Sequence, residues 1–154
     1  MNFDKIVVAL DMDENSIETL AQLKQLNIPT SAEVHLINVF EYVANNFDFT
    51  FVIPPSPEDL AKIQMIMVEK MEALKPKLGL DKHTNVIIKC FISGNAKQEF
   101  LNYADSIDAK LIVAASKERK GFLGLFESSF TNFLTKFSRS NLIILRPQAV
   151  YNVG

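Results

Sequence analysis

The chain has 154 residues, of which 48% are hydrophobic and 22% are charged, and its formal net charge at neutral pH is -2. A length and composition of this kind predict one domain, residues 1–154, with a hydrophobic core of its own. The near-neutral charge excludes a broad basic surface for nucleic acid or for an acidic membrane, and the single cysteine, Cys90, excludes a disulfide framework. Since the first apolar run is too short for a signal peptide or a membrane span, we expect a cytoplasmic protein.

The first third of the chain predicts a strand, a helix and a second strand. Residues 6–10 are continuously apolar and rich in β-branched side chains, which is typical of a strand covered on both faces. Asn15 stands three residues before Glu18, and this spacing predicts the start of a helix that Pro29 stops. Residues 34–40 form the second predicted strand.

The middle of the chain predicts a long helix followed by a third strand. Ser56 and Pro57 are a typical N-cap and first-turn pair, and Pro76 is expected to kink or end the helix. Residues 86–92 are mostly apolar and form the third strand, which breaks at residues 93–95. An amphipathic helix is expected after this break.

The last part of the chain predicts a fourth strand, a fourth helix and a fifth strand. The fourth strand is Leu111–Ala115, the helix begins at Ser128 and Ser129, and the fifth strand contains Leu142 and Leu145. Strands that alternate with helices indicate right-handed crossovers and therefore an α/β fold, a five-stranded parallel sheet with helices on both faces. Ligands of such sheets bind at the carboxyl ends of the strands, and in a flavodoxin-like order, 2-1-3-4-5, that place lies next to the first strand.

Four stretches of the sequence are informative when they are taken together. They are IVVALDMDENS at the first strand, VHLINVF at the second, SGNAKQEFLNYADSIDAKLIVAAS from the third helix into the fourth strand, and LIILRP at the fifth. In this order and spacing they resemble the universal stress protein family over essentially the whole chain. The resemblance implies an adenine nucleotide alpha-hydrolase-like sandwich, in which the fourth strand and not the third lies beside the first.

The resemblance extends to the connection after the fourth strand, where ATP-binding members of the family carry a phosphate loop. Their pattern is a glycine, two residues, a second glycine, nine residues, and a third glycine followed by serine or threonine. On this sequence the three glycine places hold Ala115, Glu118 and Ser128, whereas Ser129 keeps the hydroxyl. Lys117 belongs to a basic run that could meet phosphate or remain in solvent.

Two further candidate ligand residues lie at the ends of the first two strands. The resemblance implies that Asp11 lies near an adenosine and that the backbone of Val39 contacts adenine. Asp11 and Asp13 could also hold a metal, or act as turn and helix-start residues; we expect Asp11 in a pocket and Asp13 at the surface. The sequence offers no metal-ligand spacing and no nucleophile with a matching base and acid, so no catalytic residues and no metal site are predicted.

An aromatic segment lies between the second strand and the second helix. Phe47, Phe49 and Phe51 alternate, so an extended chain would place the three rings on one face. The segment could pack onto its own domain, close over a ligand, or offer an apolar patch to a protein partner. The sequence leaves these alternatives open.

Three classes of function compete. The leading prediction is a non-catalytic regulatory or stress-response protein of the universal stress type, with weak or absent ATP binding. The alternative is a nucleotide-binding member with a divergent phosphate loop and slow ATP hydrolysis, for which ATP is the candidate cofactor. The third, a phosphorylation receiver, fails because the third strand ends in Phe91, Ile92 and Ser93 and offers no aspartate to accept phosphate.

A homodimer is expected through the fifth strand. The strand that contains Leu142 and Leu145 would leave an apolar sheet edge with unpaired backbone groups, which proteins normally cover or use. The resemblance implies antiparallel pairing of this strand with the same strand of a second copy.

Overall fold

Strands and helices follow one another along the chain in the predicted order. The computed structural model describes residues 3–41, 56–117 and 129–148. Its elements within these ranges are β1 Lys5–Ala9, α1 Glu14–Leu20, a 3-10 helix Ala21–Leu26, β2 Glu33–Glu41, α2 Pro57–Leu74, β3 Val86–Ser93, α3 Ala96–Ser106, β4 Leu111–Ala115, α4 Ser129–Phe137 and β5 Asn141–Leu145.

The five strands form one parallel sheet in the order β3-β2-β1-β4-β5. β1 is central, since Val8 pairs with Leu36 of β2 on one side and with Val113 of β4 on the other. The five-stranded α/β fold is therefore confirmed, as is the fourth strand beside the first, whereas the order 2-1-3-4-5 is wrong. The crossover through α2 carries the chain outward, so β3 lies at the sheet edge, where its Lys89 is exposed.

Successive residues of each strand face opposite sides of the sheet. On β2, Leu36 shares a buried apolar cluster with Leu20 of α1 and Met71 of α2. Its neighbour Ile37 belongs to a second cluster, which includes Phe100 of α3. We call these two sides the α1/α2 face and the α3/α4 face.

The helix α1 begins two residues earlier than predicted. Its N-cap is Asp13 and not Asn15, because the Asp13 carboxylate accepts hydrogen bonds from the Ser16 amide at 2.9 Å and from the Ser16 hydroxyl at 2.7 Å. Two donors on one residue hold the carboxylate over the first turn, where helical N–H groups lack partners. Asn15 therefore lies inside the helix, and the following 3-10 helix ends at Leu26, where its C-cap Asn27 has a φ of 50°.

The predicted boundaries of α2 and the predicted start of α3 are confirmed. Ser56 caps α2 by accepting a backbone N–H at 3.2 Å, and Pro57 is the first residue of that helix. The helix ends at Leu74, before Pro76. The helix α3 begins at Ala96, directly after the predicted break, and Asn95 caps it.

A histidine is buried on the α3/α4 face. The ring of His35 is in hydrogen-bond contact at both nitrogens, Nδ1 with the hydroxyl of Tyr103 and Nε2 with the carboxylate of Glu33, each at 2.6 Å. Burial, together with the negative charge of Glu33, raises the pKa of Tyr103, so its phenol stays protonated. The Tyr103 ring also packs against Phe91, and the ammonium of Lys89 lies 5.3 Å from the ring centre.

Candidate functional site

A cleft of about 400 Å³ opens at the carboxyl ends of β1, β2 and β4, beside the N-terminal turns of α3 and α4. The sequence predicts a ligand at the carboxyl ends of the strands. In the structure the chain leaves β1 for α1 on one face and the neighbouring β4 for α4 on the other face, so a switch point lies there. We call the apolar lining of the cleft the floor and its polar lining the lip. The floor contains Ala9, Ile37, Val39, Phe100, Ala114 and Phe130, and the lip contains Asp11, Ser16, Asn38, Glu41, Lys97 and Lys117.

Small side chains on the central strands leave room for the cleft. Ala9 and Ala114 lie at the carboxyl ends of β1 and β4, on the α3/α4 face, where larger residues would fill the space. Phe100 is buried and meets Phe130 edge to face, with ring centres 5.2 Å apart. A floor of aliphatic and aromatic side chains suits a flat, largely apolar group such as a heterocyclic base.

The lip of the cleft carries an ion pair. Lys117 Nζ lies 3.2 Å from Asp11 Oδ2, and the two side chains are 61% and 53% exposed. Water screens a pair with this exposure, so it contributes about 1 kcal/mol or less to stability. Its importance comes from its position, since one partner reaches the cleft from the end of β1 and the other from the end of β4.

Asp13 lies at the surface, as predicted, and its carboxylate is engaged in capping α1. Burial by itself would raise the pKa of Asp13, but the hydrogen bonds from the hydroxyl and amide of Ser16 outweigh burial, and the positive charge of Lys117 adds to them. The net effect is a pKa below the ordinary value for an aspartate. Asp13 is therefore a carboxylate at neutral pH and holds the start of α1 in place beside the cleft.

A buried amide holds the end of β1 against β2. The side-chain nitrogen of Asn38 donates to the carbonyl of Leu10 at 2.9 Å, and its oxygen accepts from the Cys90 thiol at 3.4 Å. Burial raises the pKa of Cys90, which keeps the thiol protonated. Because Leu10 directly precedes Asp11, this arrangement, the Asn38 clamp, fixes the point at which Asp11 leaves the sheet.

Several predicted site residues lie together in the structure. Asp11, Val39, Ala115 and Lys117 line one cleft, although they come from three different strand ends. Ser129 is the first residue of α4, directly before a residue of the floor. The structure thus brings these positions together, and their role as nucleotide contacts stays a prediction.

The remaining predictions concern positions outside the described residues. These positions are Glu118 and Ser128 of the phosphate-loop pattern and Phe47, Phe49 and Phe51 of the aromatic segment. The roles predicted for these positions stay predictions from the sequence.

Sequence reasoning missed part of the cleft, namely Asn38, Glu41, Lys97, Phe100 and Phe130. Lys97 and Phe130 lie in the first turns of α3 and α4. Each of these turns begins a helix that follows a strand. This position could have indicated them, because ligands of parallel sheets bind at the carboxyl ends of the strands. Asn38 offered another signal, as an amide within an otherwise apolar strand end.

Metal and membrane sites can be assessed over residues 3–41, 56–117 and 129–148. In this part of the chain, no group of three or more His, Cys, Asp or Glu side chains is placed to hold a metal ion. The helices found there are also too short or too polar to cross a membrane.

Residues 2–146 match the model of a family described as the universal stress protein family. The chain belongs to this family. A comparison with curated protein sequences gives no match. Membership agrees with the resemblance in the strand-end sequences.

Solved universal stress proteins share the fold of this one at low sequence identity. A universal stress protein in complex with cAMP is 14% identical with a TM-score of 0.66, covering 96% of this chain and 100% of that chain. The protein UspA from Lactobacillus plantarum is 15% identical with a TM-score of 0.65, covering 95% and 99%. A family protein from Arabidopsis thaliana with AMP bound is 16% identical with a TM-score of 0.55, covering 94% and 92%. At these identities the likeness establishes the fold.

Proposed function

We propose that this universal stress protein is a non-catalytic regulatory protein whose cleft takes an adenine nucleoside or nucleoside monophosphate and holds ATP weakly or not at all. The observation that carries the proposal is a single cleft lined by Asp11 and Val39 on one side and by Ala115 and Lys117 on the other.

The size and lining of the cleft support an adenosine-sized ligand. A volume of about 400 Å³ falls within the usual range of small-molecule sites, and an apolar floor with a few polar groups at its rim is typical of them. The carboxylate of Asp11 can accept hydrogen bonds from ligand hydroxyl groups. Two solved relatives with this fold are complexes with cAMP and with AMP.

The residues around the phosphate loop support weak ATP binding. Ala115 adds a side chain to the cleft wall at a place where ATP-binding members have glycine. Glu118, judged from the sequence alone, adds a negative charge within three residues of the end of β4. At roughly 5 Å and an effective dielectric constant of ~20–80, each repulsion between like charges costs about 1–3 kcal/mol. This repulsion acts on all the charged phosphate groups of a triphosphate, whereas a monophosphate has one such group.

The polar groups of the lip support a binding role over a catalytic one. Asp11 is paired with Lys117, and the hydroxyl of Ser16 donates to Asp13. A hydrolase would need a base free to activate water and donors aimed at the developing charge. In the described part of the cleft, Asp11 and Ser16 already contact Lys117 and Asp13, which supports binding over catalysis.

A homodimer through β5 is the proposed assembly. β5 lies at the edge of the sheet and pairs with β4 on its inner side, while Leu142, Ile143 and Ile144 keep part of their surface exposed. An apolar edge of this kind favours pairing with a second copy. We expect Ile144→Lys to yield monomers in sedimentation equilibrium, whereas Ile87→Lys on the opposite edge leaves the dimer intact. A wild-type monomer at micromolar concentration contradicts the proposed assembly.

Titration calorimetry with adenosine, AMP and Mg-ATP tests the proposed ligand. We expect saturable binding of adenosine or AMP in the micromolar range and at least about tenfold weaker binding of ATP. The triple change Ala115→Gly, Glu118→Gly, Ser128→Gly should strengthen ATP binding and leave adenosine binding nearly unchanged, so adenosine is the control ligand. If no adenine compound binds, the proposal is wrong.

The second candidate function is that of an ATP-binding member with a divergent loop. It is favoured by Lys117, which places a cation at the β4 side of the cleft. Equal micromolar affinities for ATP and AMP in the same titrations, with slow release of inorganic phosphate, would establish this candidate in place of the first.

A further inference from the structure

The charges at the lip of the cleft are unevenly distributed. The ammonium of Lys117 lies 3.2 Å from the Asp11 carboxylate, and its charge also acts on Asp13, which caps α1 beside the cleft. One cation therefore faces two neighbouring carboxylates and offsets only part of their negative charge. On the other side, Glu41 and Lys97 line the cleft from β2 and α3, one charge of each sign.

We infer that Lys117 is the specificity-determining residue of the cleft and makes it prefer a nucleoside monophosphate over the uncharged nucleoside. The inference rests on the proposed function and specifies the charge of the ligand. It follows from what Lys117 must do when a ligand hydroxyl approaches Asp11.

An uncharged ligand competes with Lys117. A hydroxyl that donates to the Asp11 carboxylate approaches a group whose Oδ2 already contacts the ammonium, and a hydrogen bond at that oxygen lengthens or breaks the ion pair. An uncharged nucleoside has no anionic group that could pair with the displaced ammonium. The affinity for such a ligand is lowered by up to the strength of an exposed ion pair, which corresponds to about fivefold at most.

A ligand with one phosphate group changes the outcome. The phosphate offers the displaced ammonium a new anionic partner within the same cleft, and hydrogen bonds between charged groups are stronger than neutral ones. Asp11 is then free to accept from ligand hydroxyl groups. Lys117 thus opposes the uncharged ligand and supports the phosphorylated one.

Removal of the lysine should reverse this preference. Without Lys117, the carboxylates of Asp11 and Asp13 are left uncompensated and repel a phosphate. An uncharged nucleoside is insensitive to this repulsion and gains unhindered access to Asp11. Lys117→Met should therefore move the two affinities in opposite directions, which a general loss of structure would not do.

The test is titration calorimetry of adenosine and AMP against five proteins at low and physiological salt. They are the wild type, Lys117→Met, Lys117→Arg, Asp11→Asn and Lys110→Met. For Lys117→Met we expect AMP to bind about tenfold more weakly and adenosine about two- to fivefold more tightly. Lys117→Arg keeps the charge and should retain the wild-type preference, whereas Asp11→Asn should increase the preference for AMP.

Lys110→Met is the matched control. Lys110 also forms an exposed ion pair, with Asp108 at 2.7 Å. It directly precedes β4 and therefore lies at the amino ends of the strands, whereas the cleft lies at their carboxyl ends. Its substitution should leave both affinities unchanged. If Lys117→Met alters adenosine and AMP by the same factor, or alters neither, the inference is wrong and the proposed function stands. If the wild type binds neither compound, both are wrong.

Discussion

The two faces of the sheet differ in what their side chains do. On the α1/α2 face, Leu36, Leu20 and Met71 are fully buried aliphatic side chains that contribute to stability through packing. On the α3/α4 face, the buried cluster also borders a cleft and surrounds the contact between His35 and Tyr103. The comparison predicts that truncation of a buried side chain costs more stability on the α1/α2 face than beside the cleft.

Two adjacent residues of β2 give the strongest test of this comparison. Leu36→Ala should lower the free energy of unfolding by about 3–5 kcal/mol, because it creates a cavity in closely packed surroundings. Ile37→Ala should cost about 2–3 kcal/mol, because its side chain already borders the cleft and less new cavity is formed. Urea denaturation measures both losses.

The ligand affinities of the same two variants complete the test. Ile37→Ala alters the floor of the cleft and should weaken binding of an adenine ligand, whereas Leu36→Ala should leave it unchanged in the folded protein. Equal losses of stability, with equal effects on binding, would remove the distinction between the faces.

The polar contact on the α3/α4 face provides the next test. Tyr103→Phe keeps the ring that packs against Phe91 but leaves Nδ1 of His35 without its partner. Since the His35 residue is only 3% exposed, we expect a loss of about 1–3 kcal/mol in the free energy of unfolding. In a double-mutant cycle with His35→Phe, the double variant should lose less than the sum of the single variants. Additive losses would show that the hydroxyl and the ring do not stabilise each other.

The smallest effect is expected at Asp13, beside the cleft. Asp13→Ala removes the cap of α1 and should cost about 1 kcal/mol at neutral pH, whereas Asp13→Asn keeps a capping oxygen and should cost less. The folded protein lowers the pKa of Asp13, so its contribution is present above the unfolded pKa and is lost as the pH falls through the folded pKa. Thermal denaturation between neutral pH and about pH 2 should therefore show a smaller acid-induced loss for Asp13→Asn than for the wild type. Parallel curves would contradict the assigned hydrogen bonds.

Most of the fold could be predicted because local patterns determine strands and helix ends. Ser56 with Pro57 identified the start of α2, since the cap and the proline act within one turn. The start of α1 was missed because two overlapping patterns competed, and the Asn15 spacing could not reveal that Ser16 donates twice to Asp13. The order of the strands in the sheet could not be predicted from hydrophobic periodicity, because an apolar run carries no information about its neighbours in the sheet.

The candidate site was predictable only where a strand end marks it. Asp11 directly follows the first apolar run and Val39 lies near the end of the second, and the family resemblance pointed to both of them. The contact of His35 with Tyr103 joins residues far apart in the chain, and it depends on how α3 packs on the sheet. Glu33 lies two residues before His35 on the same face of β2, and this spacing was the local signal available.

The central position of β1 has a consequence for synthesis on the ribosome. Ile6 pairs with Val34 on one side early in the chain, but its partner on the other side, Leu111, is made much later. Until then, one edge of β1 has no neighbour within its own chain. Pairing over such long sequence separations slows folding, and a nascent strand edge of this kind is exposed to aggregation. We therefore expect the N-terminal half of the chain to be prone to aggregation until β4 has been made.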